Sequence, residues 1–319
     1  MAESTSFVST EKENVVIRAG SCAITVLPQF GGKIASILFN EHELLEAPLV
    51  PIAARTPTMP FDAGDASGWD ECLPSVAACT LPLQRGIANI PDHGDLWRVP
   101  WQEINGNGGS VILRAECFSL PLELERALTL KKTSKGYRLN AAYKLTNVGK
   151  EPVPWSWAAH PLFAAAAGDR ILLPPTIRTL LVEGSRHDRL GKSGETIGWP
   201  IATIAGGKAD LRVARRAESG IGDKLFAGPL CADENWCALE RPSVGVRIRV
   251  NFNTVENPYL GLWICFGGWP EGSGKKQMCV AMEPSTAPVD SLVKKGPWSR
   301  VLEPRRSALW GMRVDLELL

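Results

Sequence analysis

The segment GYRLNAAYKLTN (136–147) sorts its side chains by parity: Tyr137, Leu139, Ala141, Tyr143 and Leu145 on one side, Arg138, Asn140, Ala142, Lys144 and Thr146 on the other. A period of two marks an extended chain with one face in a core and the other in water. In GVRIRVNFN (245–253), Val246, Ile248, Val250 and Phe252 oppose Arg247, Arg249, Asn251 and Asn253. GMRVDLELL (311–319) does the same with Met312, Val314, Leu316 and Leu318, and SVILRAECF (110–118) is followed closely by LELERALTL (122–130). Half-buried strands of this kind belong to antiparallel sheets. Turn signals such as NGNGG (105–109), TSKG (133–136), NVGKEPVP (147–154) and EGSGKK (271–276) separate them. No long stretch shows helical periodicity, and the 24 prolines and 30 glycines are spread as strand connectors. The pattern predicts an all-β chain, one large antiparallel domain over 1–319, with the first ~10 residues disordered. Segments 50–110 and 183–237 lack regular alternation and read as long loops on a sheet face, where binding sites tend to lie.

Charge narrows the partners. With 35 basic and 34 acidic residues and no run of one sign, neither nucleic acid nor an anionic membrane is expected as partner. The N-terminus MAESTSFVSTEKENVVI lacks the basic start and apolar stretch of a signal peptide, and no run approaches the roughly 18 apolar residues of a membrane span. Eight cysteines are scattered without a CxxC pair, several among apolar neighbours, which reads as reduced core thiols in a cytoplasmic protein. No Cys/His spacing fits a metal site.

Three short segments carry the chemistry. PDHGDLW (91–97), SWAAHPLF (156–163) and VAMEPSTAP (280–288) present His93, His160 and Glu283 in a chain with only four histidines. Histidine exchanges protons near neutral pH, and glutamate is its common acid–base counterpart. Glu283 follows the apolar MCVAM and precedes Pro284, so a strand is expected to end there and deliver the carboxylate to its rim; a structural ion pair is the alternative. Pro161 pushes His160 toward extended backbone beside Trp155 and Trp157, where a hydrogen-bonded core histidine is the competing account. His93 lies between Asp92 and Asp95 in a turn-like segment, as a substrate contact or as a loop histidine without a duty. His42 and His187 sit among charges and read as surface residues.

Eleven tryptophans suggest a sugar, whose C–H faces stack on aromatic planes while its hydroxyls need polar edges; two or three would line a cleft and the rest anchor the core. Trp269 in GGWP, Asp70 and Glu71 in GWDE, and Arg85 and Arg98 flanking His93 are the candidates for that cleft.

GGKIASILFNEHELLE (31–46), GWDECLPSV (68–76), PDHGDLW, SWAAHPLF, GLWICFGGWP (261–270) and AMEPSTAPVDSL (281–292) come in an order that resembles the galactose mutarotase-like superfamily, in particular aldose 1-epimerases. The resemblance implies a large antiparallel β-supersandwich with a cleft across one sheet face. It also implies Glu283 as general base, His160 as general acid and His93 as a sugar contact near the ring oxygen, with Asp223 of IGDKLF holding hydroxyls. The family's arginine- and asparagine-rich loop before the first histidine has no clear counterpart, which leaves Arg85 as the candidate arginine.

The implied reaction interconverts the α and β anomers of a free monosaccharide without metal or organic cofactor, using a raised Glu and a near-neutral His. A carbohydrate-binding protein without turnover, and a hydrolase or lyase using Asp70 or Glu71 with Glu283, are the rival readings. Edge strands capped by loops or by a second subunit leave a homodimer open.

Overall fold

The computed structural model describes residues 14–84, 86–272 and 274–319; the expected N-terminal disorder and candidate Arg85 lie outside them. Two antiparallel sheets face each other. The first, of 11 strands, runs Val15–Ala19, Cys22–Leu27, Lys33–Phe39, Trp69–Cys72, Ala158–Ala164, Met278–Ser285, Tyr259–Phe266, Ile221–Ala227, Thr179–Ser185 and Thr196–Gly198, with His42–Glu43 added beside Lys33–Phe39. The second, of 8 strands, runs Arg170–Leu172, Trp236–Arg241, Val246–Phe252, Ser307–Leu318, Gly136–Asn147, Leu122–Lys132, Ser110–Glu116 and Gln102–Asn107. The helices among the described residues are 3-10 turns of three residues, and none is long and apolar enough to cross a membrane.

The alternating segments all lie in the second sheet, whose outer face is wet. Tyr137, Leu139, Ala141, Tyr143 and Leu145 are buried, as are Val246, Ile248, Val250, Met312, Val314 and Leu316. Leu318 is the exception, at 59% exposure where the last strand runs out of the sheet. These side chains meet Ile24, Ile34, Leu225, Leu262, Val280 and Met282 of the first sheet in one apolar cluster. One polar bridge crosses it: Arg126 donates to Glu71 at 3.0 Å, and the same carboxylate accepts from Tyr143 and Trp157 at 2.9 Å each. Breaking such a buried pair by removing one partner costs about 3–5 kcal/mol, because the other charge is left without compensation.

The irregular segments correct the expectation of plain loops. Segment 50–110 contains the central strand Trp69–Cys72 and a hairpin, Cys79–Leu83 with Gly86–Ile90; segment 183–237 contains Ile221–Ala227. Trp69–Cys72 is buried at every position, and Ile221–Ala227 at every position after the first. A strand covered on both faces has no reason to alternate.

Parity also fixes where a site can form. Glu71 points into the inter-sheet core, so Asp70 and Cys72 point to the outer face of the first sheet. Over that face lie Phe61 and the 91–97 loop, whose His93 stacks on Phe61 and meets His160 edge to face.

Candidate active site

Register sets out the floor. Across the first sheet Asp70 pairs with His160, and Glu283 pairs with Gly261, which pairs with Phe226. The strand Met278–Ser285 continues through Pro284 and does not end there. Its ladder with Ala158–Ala164 is formed at Ala158 with Ser285 and again at Leu162 with Ala281, leaving the stretch around Pro161 and Pro284 without pairing. Neither proline can donate a ladder hydrogen bond, so the two strands part between those pairs. His160 and Glu283 face one another across this opening, with Nε2 3.8 Å from Oε1.

Glu283 is fully buried. Its Oε2 accepts from the ammonium of Lys224, which also lies 3.7 Å from Asp290 Oδ1. Oε1 has no hydrogen-bond partner among the described residues. Burial pushes the carboxyl above the usual glutamate range, Lys224 pulls it back, and Asp290 adds to the rise. Burial alone would lower the Lys224 ammonium, but Asp290 and Glu283 outweigh that and hold it above the usual lysine range. Gly261 makes the meeting possible, since a Cβ there would stand 2.9 Å from Glu283 Oε2.

The imidazole of His160 is 6% exposed. Burial, followed by the charges of His93, Lys224 and Lys33, holds it well below its ordinary range, so the resting ring is neutral. This differs from the near-neutral titration expected of it, and the cause is the dry floor.

His93 arrives from the 91–97 loop in the left-handed region, φ 58°. It is held by its own N–H to Val76 O, by Nδ1 to Asp92 at 2.8 Å, and by stacking on Phe61 at 3.6 Å between ring centroids. Gly94 follows at φ 69°, where a Cβ would collide with Leu73 O at 2.1 Å. Arg98 donates to the carbonyls of Met59, Asp92 and Gly94, so it braces this loop and is not free for a hydroxyl. The rings of His93 and His160 are 5.1 Å apart, edge to face.

Above these groups opens a cavity of about 480 Å³, within the range of about 300–1,000 Å³ usual for small-molecule sites. Trp263 and Trp269 line it, and the indole N–H of Trp263 donates to Gln277 Oε1 at 3.0 Å. Trp69, Trp97 and Trp101 are core residues with no exposed surface to offer.

Of the candidates, His93, His160 and Trp269 line the cavity, while Glu283 does not and lies buried behind it, against Lys224 and 3.8 Å from His160 Nε2. Asp70 shares the outer face with His160 but does not line the cavity: it is held by Lys33 at 2.5 Å, and Lys33 also binds Asp65 at 3.1 Å. Glu71 is consumed by Arg126, Tyr143 and Trp157, so neither acid of GWDE offers a second carboxylate to the cavity. Asp223 is turned away, accepting from Ser185 at 2.6 Å and paired with Arg189. The reason is parity, because Asp223 shares a face with the core residue Leu225 and the next residue, Lys224, takes the face of the site.

Sequence reasoning missed Lys224, Asp290, Gln277 and Phe61. Only Lys224 left a signal, as the lone charge between Gly222 and Phe226 on the face opposite Leu225.

All eight cysteines are free, and Cys22, Cys72, Cys237, Cys265 and Cys279 are buried. Among the described residues no group of three or more His, Cys, Asp or Glu could hold a metal ion.

No protein-family model matches the chain, and no curated protein matches it. Solved structures do. The Slr1438 protein of Synechocystis sp. PCC 6803 is similar with a TM-score of 0.71 at 15% identity, covering 96% of both chains. A galactose mutarotase-like protein from Lactobacillus casei has a TM-score of 0.67 at 16% identity, over 95% of this chain and 100% of its own. A GalM/aldose epimerase homologue from C. elegans has a TM-score of 0.63 at 12% identity, over 96% and 99%. With its paired antiparallel sheets and near-complete overlap with these structures, the chain has the galactose mutarotase-like fold.

Proposed function

We propose that this protein is an aldose 1-epimerase-like isomerase acting on a free monosaccharide in the reducing interior of the cell. The observation that carries the reading is the pair of Glu283 Oε1 and His160 Nε2, 3.8 Å apart beneath a cavity lined by two indoles, with Oε1 lacking a partner. In this reading the sugar ring stacks on Trp263 and Trp269. Glu283 takes the proton of the C1 hydroxyl, His160 gives a proton to the ring oxygen, and the C1–O bond to the ring breaks to leave an open-chain aldehyde. Rotation about C1–C2 and closure on the other face return both protons.

The carboxylate and imidazole are close enough to titrate as a unit. Burial raises the carboxyl and depresses the imidazole, working against charge on both groups. Turnover needs an ionised Glu283 and a protonated His160 together, so the rate against pH is bell-shaped, with its flanks belonging to the pair.

Polarimetry on freshly dissolved α-D-glucose and α-D-galactose tests this. Glu283→Gln and His160→Asn should each lose about 10²–10⁴-fold of the acceleration in a chain that still folds. Full activity in either folded variant removes that residue from its role.

A second reading, sugar binding without turnover, is favoured by the neutral resting His160 and by the clamp of Lys224 on Glu283. It predicts quenching of tryptophan fluorescence by sugar while mutarotation stays at the buffer rate.

A further inference from the structure

Lys224 is the only lysine or arginine among the described residues that lines the cavity, and two carboxylates converge on it. Its Nζ contacts Glu283 Oε2 and lies 3.7 Å from Asp290 Oδ1. Glu283 Oε1 and Asp290 Oδ1 are both buried without hydrogen-bond partners among the described residues. An ammonium on a flexible four-carbon stem can move its weight between two such acceptors with little rearrangement. We infer that Lys224 is a positioning residue that sets the basicity of Glu283, with Asp290 as its second anchor: the ammonium passes toward Asp290 when Glu283 takes a proton and returns when that proton leaves. This rests on the reading of Glu283 as the base.

The electrostatic logic needs all three groups. A fully buried carboxylate with no cation beside it would hold its proton at neutral pH and could not act as a base. A carboxylate paired with an ammonium that had no other partner would be too well stabilised to accept one. Asp290 competes for the ammonium and relieves that excess. Other groups face Glu283 as well: His160 from Ala158–Ala164, His93 from the 91–97 loop and the Cys72 thiol from Trp69–Cys72. Asp290 in turn borders Glu183, which accepts from its backbone N–H at 3.4 Å and from Lys294 at 2.8 Å. Burial raises the Glu283 carboxyl, Lys224 and His93 lower it, and Asp290 raises it, in keeping with the geometry.

The test is a pair of variants with opposite signs. The protein is labelled with ¹³C at glutamate carboxyls, the Glu283 resonance is identified by its loss in Glu283→Gln, and it is titrated in the full chain. Lys224→Met should move the Glu283 midpoint up, and Asp290→Asn should move it down, each by about one pH unit. Lys224→Arg should stay near wild type. The acid flank of kcat/KM for α-D-glucose should follow the same directions. A merely structural role would move stability but not produce opposite shifts. Midpoints that stay put, or move together, overturn the inference. If Lys224→Met does not fold, the downward shift in Asp290→Asn decides alone. Opposite shifts in a protein that leaves α-D-glucose and α-D-galactose at the buffer rate uphold the Lys224 linkage and remove the mutarotase reading. A working mutarotase whose Glu283 ignores Lys224 does the reverse.

Discussion

Gly261→Ala probes the site through geometry and leaves every charge in place. A Cβ at position 261 would stand 2.9 Å from Glu283 Oε2, 3.1 Å from Phe226 Cε1 and 3.3 Å from Glu283 Cβ. Ordinary carbon–oxygen contact is reached some tenths of an ångström further out, so the carboxylate must yield by roughly 0.3–0.5 Å toward the cavity. A misplacement of about 1 Å at a reacting group costs about 10²-fold in rate, so this displacement should lower kcat by about 4- to 10-fold. KM should change little, because Trp263 and Trp269 are not touched. Overpacking costs about 1–3 kcal/mol, and replacing a strand glycine returns about 0.5–1 kcal/mol, so melting should fall modestly. The comparison is Gly184→Ala, where the added Cβ meets nothing within 4 Å, so kcat should hold and Tm should not fall. Initial polarimetric rates at saturating sugar, with a thermal melt of each variant, decide it. A folded Gly261→Ala with wild-type kcat would mean that Glu283 is not the group whose position limits the reaction.

Trp263→Ala removes an indole that Gln277 holds in place at 3.0 Å, and should raise KM about tenfold while kcat stays within about twofold. An unchanged KM, measured by polarimetry over a range of sugar concentrations, would take the stacking platform away from Trp263. Stability has its own pH signature at Asp65. Burial alone would raise its carboxyl, but Lys33 and Arg55 outweigh that and hold it below the ordinary 3.8. A depressed carboxyl contributes stability that is fully present above the unfolded-state pKa and is lost as pH falls through the folded one. Asp65→Asn should therefore melt well below wild type at pH 7, and the gap should close below about pH 4. A gap in Tm that does not change with pH would refute the assignment of that stability to ionisation.

The second sheet was legible because it has a wet face. Arg138, Asn140 and Lys144 alternate with Tyr137, Leu139 and Tyr143, since water on one side and core on the other impose a period of two. The strands that carry the site are covered on both faces, so WDEC (69–72) and IGDKLFA (221–227) show no alternation and read as loops from sequence. Asp70 stands out beside Glu71 in GWDE, and Asp223 through the resemblance of IGDKLF. Their orientation depended on parity within strands not yet recognised, and it gave the site Lys224 in place of Asp223.

His93, His160 and Glu283 stood out because their segments combine titratable groups with proline and aromatic residues, which is information local to the chain. Their convergence is not local. It comes from a strand order that sets Met278–Ser285 between Ala158–Ala164 and Tyr259–Phe266, and from two prolines that open the ladder where the side chains meet. The amino-acid sequence by itself determined an antiparallel β protein and three titratable residues, His93, His160 and Glu283, that the fold brings together. Tertiary structure alone decided which buried charges face each other, because pairing across a sheet joins residues far apart in the chain and the dry floor then sets their proton affinities.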